Sequence, residues 1–227
     1  MKRSALITPV VLLSLTGSLQ AADLKTLEER ASYAFGQEVF SNLKRQGVSL
    51  DPDTFVKGYL DAANGNKPAL TPQDASAARM EFQEQLRAKL LEEQKIVGEK
   101  NLKEGDAFLK ANAEKEGVIV TKSGLQYKVL KSGDGKQATV NDTVVTHYRG
   151  TLIDGREFDS SYKRNKPATF PVRGVIAGWT EALQLMKVGD KWELYIPSNL
   201  AYGEAQRSEL ITPNSTLIFE IELLEVK

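Results

Sequence analysis

The run Thr216-Leu217-Ile218-Phe219-Glu220-Ile221-Glu222-Leu223 decides the fold. Leu217, Phe219, Ile221 and Leu223 recur at every second position against Glu220 and Glu222, so a strand here has one apolar and one largely charged face. Working back along the chain, Trp192, Leu194 and Ile196 alternate with Lys191 and Glu193 in the same way. Strands with one wet face belong to an antiparallel sheet. Turn chemistry stands between the strands at Ser132-Gly133-Asp134-Gly135 and at Asp154-Gly155. One short stretch, about Gly178 to Met186, changes period and carries Trp179, Leu183 and Met186 at helical spacing. A sheet half-wrapped over one short helix gives an α+β domain over residues 118–227.

Before Val118 the period is that of a helix. Leu24, Leu27, Ala31, Ala34, Phe35 and Val39 form one stripe, and Tyr33, Gly36 and Phe40 fall beside it, so the first helix needs partners on two sides. Asp51-Pro52 supplies an N-cap and a first-turn proline for a second helix carrying Phe55, Tyr59 and Ala63, ended by Asn64-Gly65-Asn66. Thr71-Pro72 repeats that start, and a third helix can run on to about Glu116, on the order of 65 Å. Its second half is polar all round between Glu92 and Asp106 apart from Ile96, Val97 and Leu102, which predicts a strut through solvent, weakened at Gly98 and Gly105. The pattern divides the chain into a helical domain over residues 23–71, a connecting helix over 72–117 and the sheet domain over 118–227. A helical domain of that size lacks a sufficient core of its own. A second copy covering its apolar faces is one solution, and folding back onto the sheet domain is another.

The first 22 residues have the layout of a secretory signal peptide: Met1-Lys2-Arg3, an apolar run from Ala5 to Leu15, and a cleavage site after Ala21 or Ala22. The run is shorter than a spanning helix and contains Pro9. Thirty basic residues balance thirty acidic ones, and loss of Lys2 and Arg3 leaves a net charge of about −2. Such a chain has no electrostatic pull towards nucleic acid. With no Cys and a single His, thiol chemistry and the usual zinc and iron-sulfur sites lack their groups, so no metal or cofactor is expected.

Five blocks then occur in order: Val145-Thr146-His147-Tyr148-Arg149-Gly150; Asp154-Gly155-Arg156-Glu157-Phe158-Asp159-Ser160-Ser161; Val175-Ile176-Ala177-Gly178-Trp179; Ala201-Tyr202-Gly203; and Thr216-Leu217-Ile218-Phe219. In order and spacing they resemble the signature of the FKBP-type peptidyl-prolyl cis/trans isomerases, the macrolide-binding isomerases. The helical half and the leader resemble the dimeric bacterial branch, which includes the macrophage infectivity potentiators and periplasmic folding factors. The resemblance implies a sheet of five to six antiparallel strands curled around a short helix. It implies catalysis of X-Pro isomerisation in folding proteins, chaperone activity, a periplasmic location with outer-membrane or surface association left open, a homodimer through the N-terminal helices, and macrolide inhibitors of the tacrolimus and rapamycin type.

By the same resemblance Tyr148, Asp159 and Tyr202 are the catalytic candidates, and Phe158, Phe170, Val175, Ile176, Trp179, Ile211 and Phe219 line the substrate cleft. Trp179 would be the floor, and Tyr148, Phe158 and Phe219 the walls. The Ile176 N–H and the Tyr202 hydroxyl would hold substrate carbonyls. Asp159 would either orient Tyr148 or polarise the twisted amide. Ala168 stands where the best-known members carry a wall aromatic, and Glu204, Arg207 and Glu209 replace small and apolar residues, which puts inhibitor affinity and preference before proline in question. His147 has no second His or Cys to build a site with and reads as structural. A chaperone or surface-interaction module whose cleft grips proline segments with little turnover is the competing reading.

Overall fold

The computed structural model describes residues 23–227. The expected signal peptide, residues 1–22, lies outside them. Three helices precede the sheet: α1 (Leu27–Arg45), α2 (Pro52–Ala63) and α3 (Pro72–Ala113). Each starts where a side chain can take up orphan amides. Thr26 and Glu29 form a reciprocal capping box, the Asp51 carboxylate accepts from the Thr54 N–H at 2.8 Å, and the Thr71 hydroxyl accepts from the Asp74 N–H at 3.1 Å. The chain falls into two compact units that divide between Leu86 and Arg87, inside α3.

In the first unit neither α1 nor α2 has a buried residue. The second unit holds the rest of α3 and a sheet built from β1 (Val118–Val120), β2 (Gln126–Lys131), β3 (Thr143–Leu152), β4 (Glu157–Ser160), β5 (Ala168–Pro171), β6 (Lys191–Ile196) and β7 (Leu217–Val226), with α4 (Ala177–Leu185) between β5 and β6. The strands run antiparallel in the order β1-β2-β6-β7-β3-β4, and β5 pairs with the other end of β3's outer edge. The expectation was five to six strands and the sheet has seven. The edge beside β3 is cut in two by an excursion over residues 161–167, which turns at Asn165 in the left-handed region (φ 47°) and ends at Pro167.

Alternation sets the core, in β7 as the sequence predicts and in β3 as well. Val144, Thr146, Tyr148, Gly150 and Leu152 of β3 face inward, as do Leu217, Phe219, Ile221 and Leu223 of β7, and α4 packs on them through Trp179, Ala182 and Leu183. Gly178 lets α4 approach the sheet, since a Cβ there would stand 2.6 Å from the Ile196 side chain.

The second half of α3 departs from the solvent-crossing strut. The helix runs unbroken through Gly98 and Gly105, and these two with Asn112 are its buried residues. Gly98 lies against Pro213 and Asn214, Gly105 against Thr216, and the Phe108 ring sits 6.0 Å from that of Tyr195. At the C-terminal end the Asn112 amide donates to the Gln126 side chain at 3.0 Å, and the Gln126 amide donates to the Leu109 carbonyl at 2.9 Å. Apart from Phe108, the docking contacts come from glycines and amides, so hydropathy gave little sign of them.

Candidate active site

All ten candidate residues surround one cleft of about 770 Å³, which Gly174, Ala177, Ala201, Arg207 and Ser208 complete. That volume suits a short peptide segment or a drug-sized ligand. Trp179 reaches the floor from the first turn of α4. Its ring meets those of Tyr148, Phe170 and Phe219 nearly edge-on, at 5.3, 5.7 and 5.1 Å. Phe158 stands edge-on to Phe219 at 5.4 Å. Edge-to-face contacts of this kind lock ring orientations as well as burying area.

Two strands supply these walls because a glycine stands between them. Gly150 of β3 pairs with Asp159 on one side and Phe219 on the other, and a Cβ there would lie 2.6 Å from the Phe158 ring and 2.8 Å from that of Phe219. Phe170 occupies the wall on β5. Ala168, two residues before it, packs on the core and does not line the cleft. Val175 and Ile176 come from the turn into α4. The Ile176 carbonyl accepts from the Trp179 and Thr180 N–H groups and starts the helix.

One polar network touches this apolar surface. The Tyr148 hydroxyl donates to Asp159 Oδ2 at 2.5 Å, and Arg164 donates to Asp159 Oδ1 at 2.5 Å and to the Tyr148 oxygen at 2.7 Å. Burial by itself would raise the Asp159 carboxyl, but the hydrogen bonds from Tyr148 and Arg164 outweigh it and hold the group below the ordinary carboxylate range. Burial, aided by the Asp159 charge and opposed by Arg164, pushes the Tyr148 phenol up. Asp159 is therefore a carboxylate and Tyr148 a phenol at neutral pH.

Sequence reasoning missed Arg164. An exposed arginine in a polar loop looks solvated, and only the reversal at Asn165 and Pro167 hints that the loop folds back. Arg207 was singled out as a departure from the family and not as a site residue, yet its guanidinium lies over the Tyr202 ring, 5.0 Å from the centroid, at the cleft. His147 points away from the cleft. It stacks on Tyr162 at 4.7 Å and shares a 2.9 Å hydrogen bond with the Ser161 hydroxyl. Among the described residues no group of three or more His, Asp or Glu side chains could hold a metal ion.

Residues 134–224 match the family model described as FKBP-type peptidyl-prolyl cis-trans isomerase, and residues 28–129 match the domain amino-terminal to it. The chain is 43% identical over 230 residues to the outer membrane protein MIP of Legionella longbeachae, covering 100% of this chain and 99% of that one. It is 46% identical over 202 residues to the FKBP-type 22 kDa peptidyl-prolyl cis-trans isomerase of Escherichia coli K12, covering 88% and 96%. The crystal structure of FkpA from Escherichia coli superimposes with a TM-score of 0.71 at 37% identity over 90% of this chain and 98% of that one. An aromatic cleft on a seven-stranded antiparallel sheet, the ordered motif blocks and full-length relatives at this identity agree: the chain belongs to the FKBP-type peptidyl-prolyl cis-trans isomerases, with the amino-terminal domain of that family.

Proposed function

We propose that the isomerase acts on proline-containing segments of unfolded polypeptides in the periplasm, by stripping water from the X-Pro amide and accommodating its twisted form. The observation that carries this is the edge-on packing of Tyr148, Phe170 and Phe219 around Trp179, an apolar seat for a proline ring. The barrier to X-Pro rotation, roughly 18–20 kcal/mol, comes from amide resonance that disappears at the twisted geometry. A carbonyl freed of water loses the solvation that favours the planar dipole, so an apolar site lowers the barrier without a nucleophile or a cofactor. Binding energy from the proline ring and the flanking residues then goes into the twisted form.

In this reading Trp179 is the floor, and Phe158, Phe170, Val175, Ile211 and Phe219 are walls. The Ile176 N–H and the Tyr202 hydroxyl hold neighbouring carbonyls of the client. For Asp159 the network supports the orienting role. Its two oxygens are taken by Tyr148 and Arg164, and it keeps the Tyr148 ring edge-on to Trp179. Macrolides of the tacrolimus and rapamycin type would occupy the same cleft. Residues 1–22 direct export, residues 23–71 pair two copies, residues 72–117 connect, and residues 118–227 carry the chemistry, with chaperone activity arising from paired clefts. Among the described residues no helix is long and apolar enough to cross a membrane.

The test is isomerisation of a short proline peptide by the intact protein with and without a macrolide, beside Asp159→Ala and Tyr202→Phe. The expected result is macrolide-sensitive acceleration that falls in both variants. Acceleration untouched by either substitution would overturn the assigned roles. Peptide binding without turnover would favour the gripping module.

A further inference from the structure

We propose that residues 94–105 of α3 are positioning residues of the isomerase site, because they seat the loop over residues 203–216 that forms one wall of the cleft. The inference rests on the isomerase activity of the cleft described above. Arg207, Ser208 and Ile211 reach the cleft from this loop. The loop contains no strand or helix, residues 204–209 are exposed, and inside it the Arg207 N–H donates to the Ile211 carbonyl at 2.9 Å and the Ile211 N–H to the Ser208 hydroxyl at 3.0 Å. Bonds of that kind shape a loop but do not place it. Its placement comes from its two attachments.

The first is at the cleft, where the Gly203 N–H donates to the Ser198 carbonyl at 2.9 Å and the Gly203 carbonyl accepts from the Asn214 N–H at 2.7 Å, so that both ends of the loop meet beside Tyr202. The second is α3. The Asn101 amide donates to the Thr212 hydroxyl at 2.8 Å and to the Pro213 carbonyl at 2.7 Å, the Asn214 amide donates to the Gly98 carbonyl at 3.4 Å, and Gln94 donates to Gln206 at 3.3 Å. Asn214 holds both attachments at once, from the left-handed backbone conformation (φ 57°) that asparagine tolerates better than most residues. The helix approaches the loop closely because two of the positions facing it, Gly98 and Gly105, lack side chains. A Cβ at Gly98 would stand 3.2 Å from that of Pro213, and one at Gly105 would collide with the Thr216 hydroxyl. Gly98, Asn101 and Gly105 are spaced three and four apart and share one face. The glycines that cost helix propensity are thereby accounted for.

A loop seated by a few hydrogen bonds has a seated and an unseated state, and only the seated one presents Ile211, buried in the core cluster, to the cleft. The apparent affinity for a client falls in proportion to the seated fraction, while turnover of the bound client does not. Weakening the seat therefore raises KM and leaves kcat. The experiment uses the full-length chain, a short proline peptide and three variants: Asn101→Asp, which keeps size but loses both donors, Gly105→Ala, and Gly105→Ala with Thr216→Ala. Thermal unfolding of each variant checks that the fold is kept. We expect KM to rise about fivefold in each of the first two with kcat unchanged, and the added Thr216→Ala to return KM towards that of the Gly105 protein by removing the collision. Unchanged KM in both single variants overturns the proposal. A fall in kcat at constant KM also overturns it, since that is loss of folded enzyme, as does a double variant no better than Gly105→Ala.

Discussion

Gly150 sits on β3 with two aromatic rings lying over it, where a methyl group would come within 2.6 Å of Phe158 and 2.8 Å of Phe219. Neither ring can yield freely, because Phe219 is packed edge-on to Trp179 and Phe158 edge-on to Phe219. Gly150→Ala should lower kcat/KM on a proline peptide by on the order of tenfold or more, through displaced walls. The overpacking should cost about 1–3 kcal/mol in urea unfolding. A fully active variant would mean that the rings have room to move. The Tyr148–Asp159–Arg164 network makes a second residue-scale prediction, about pH. The folded-state carboxyl of Asp159 lies below its unfolded value, so its contribution to stability is present above about pH 4 and is lost as pH falls through the folded value. Tyr148 is shifted the other way and keeps its proton beyond the usual phenol range. The profile of kcat/KM should be flat between about pH 5 and 9, with an acid limb only below the ordinary carboxylate range. A limb centred between pH 5 and 7 would contradict the network.

Elements differ in how far their sequence announced them. β6 and β7 were legible because each sets charges on one face against carbon on the other: Lys191 and Glu193 against Trp192 and Leu194, and Glu220 and Glu222 against Phe219, Ile221 and Leu223, leave one register that buries carbon. The starts of α2 and α3 were legible from Asp51-Pro52 and Thr71-Pro72, since a cap is a local bond between near neighbours. The split of the outer edge into β4 and β5 was not, because it depends on one left-handed residue, Asn165, in a polar loop. Arg164 was hidden for the same reason. The docking of α3 was hidden because much of its contact face is Gly98, Asn101 and Gly105, with Phe108 the one aromatic, and the Asn101 amide reads as solvent-exposed although it is paired. The C-terminal end of that face offers a measurement of what amide docking is worth. Gln126→Ala removes the partner of both the buried Asn112 amide and the Leu109 carbonyl. Unpaired buried groups of this kind cost about 1–3 kcal/mol each. Urea unfolding of Gln126→Ala should show a loss of about 2–4 kcal/mol, and a loss below about 0.5 kcal/mol would mean that α3 is held mainly by other contacts.

At the scale of the molecule, the first unit carries an excess of exposed carbon. Leu27, Phe35, Phe40 and Tyr59 are 74%, 66%, 62% and 68% exposed, and Leu43, Val48, Leu50, Leu70, Phe82 and Leu86 line an open groove of about 640 Å³. Contiguous exposed apolar surface is rare on a monomer, and we propose that a second copy covers this carbon. A stable homodimer interface needs upwards of about 1,200 Å² in total, which rings and aliphatic side chains in this number can supply from two copies. The two-fold arrangement common to such dimers would place each α1 against the same surface of its partner. Light scattering of the intact chain should therefore give about twice the mass of one chain at micromolar concentration. Phe35→Glu combined with Phe40→Glu should give the mass of a single chain, because two charges per copy would have to be buried without partners. The paired variant should keep its kcat/KM on a short peptide, since neither residue reaches the cleft, and should lose acceleration of a refolding proline-limited protein, where a second tethered cleft raises the effective concentration of sites around one client. A single-chain mass for the unmodified protein would refute the pairing, and full activity of the charged variant on the refolding protein would separate pairing from function.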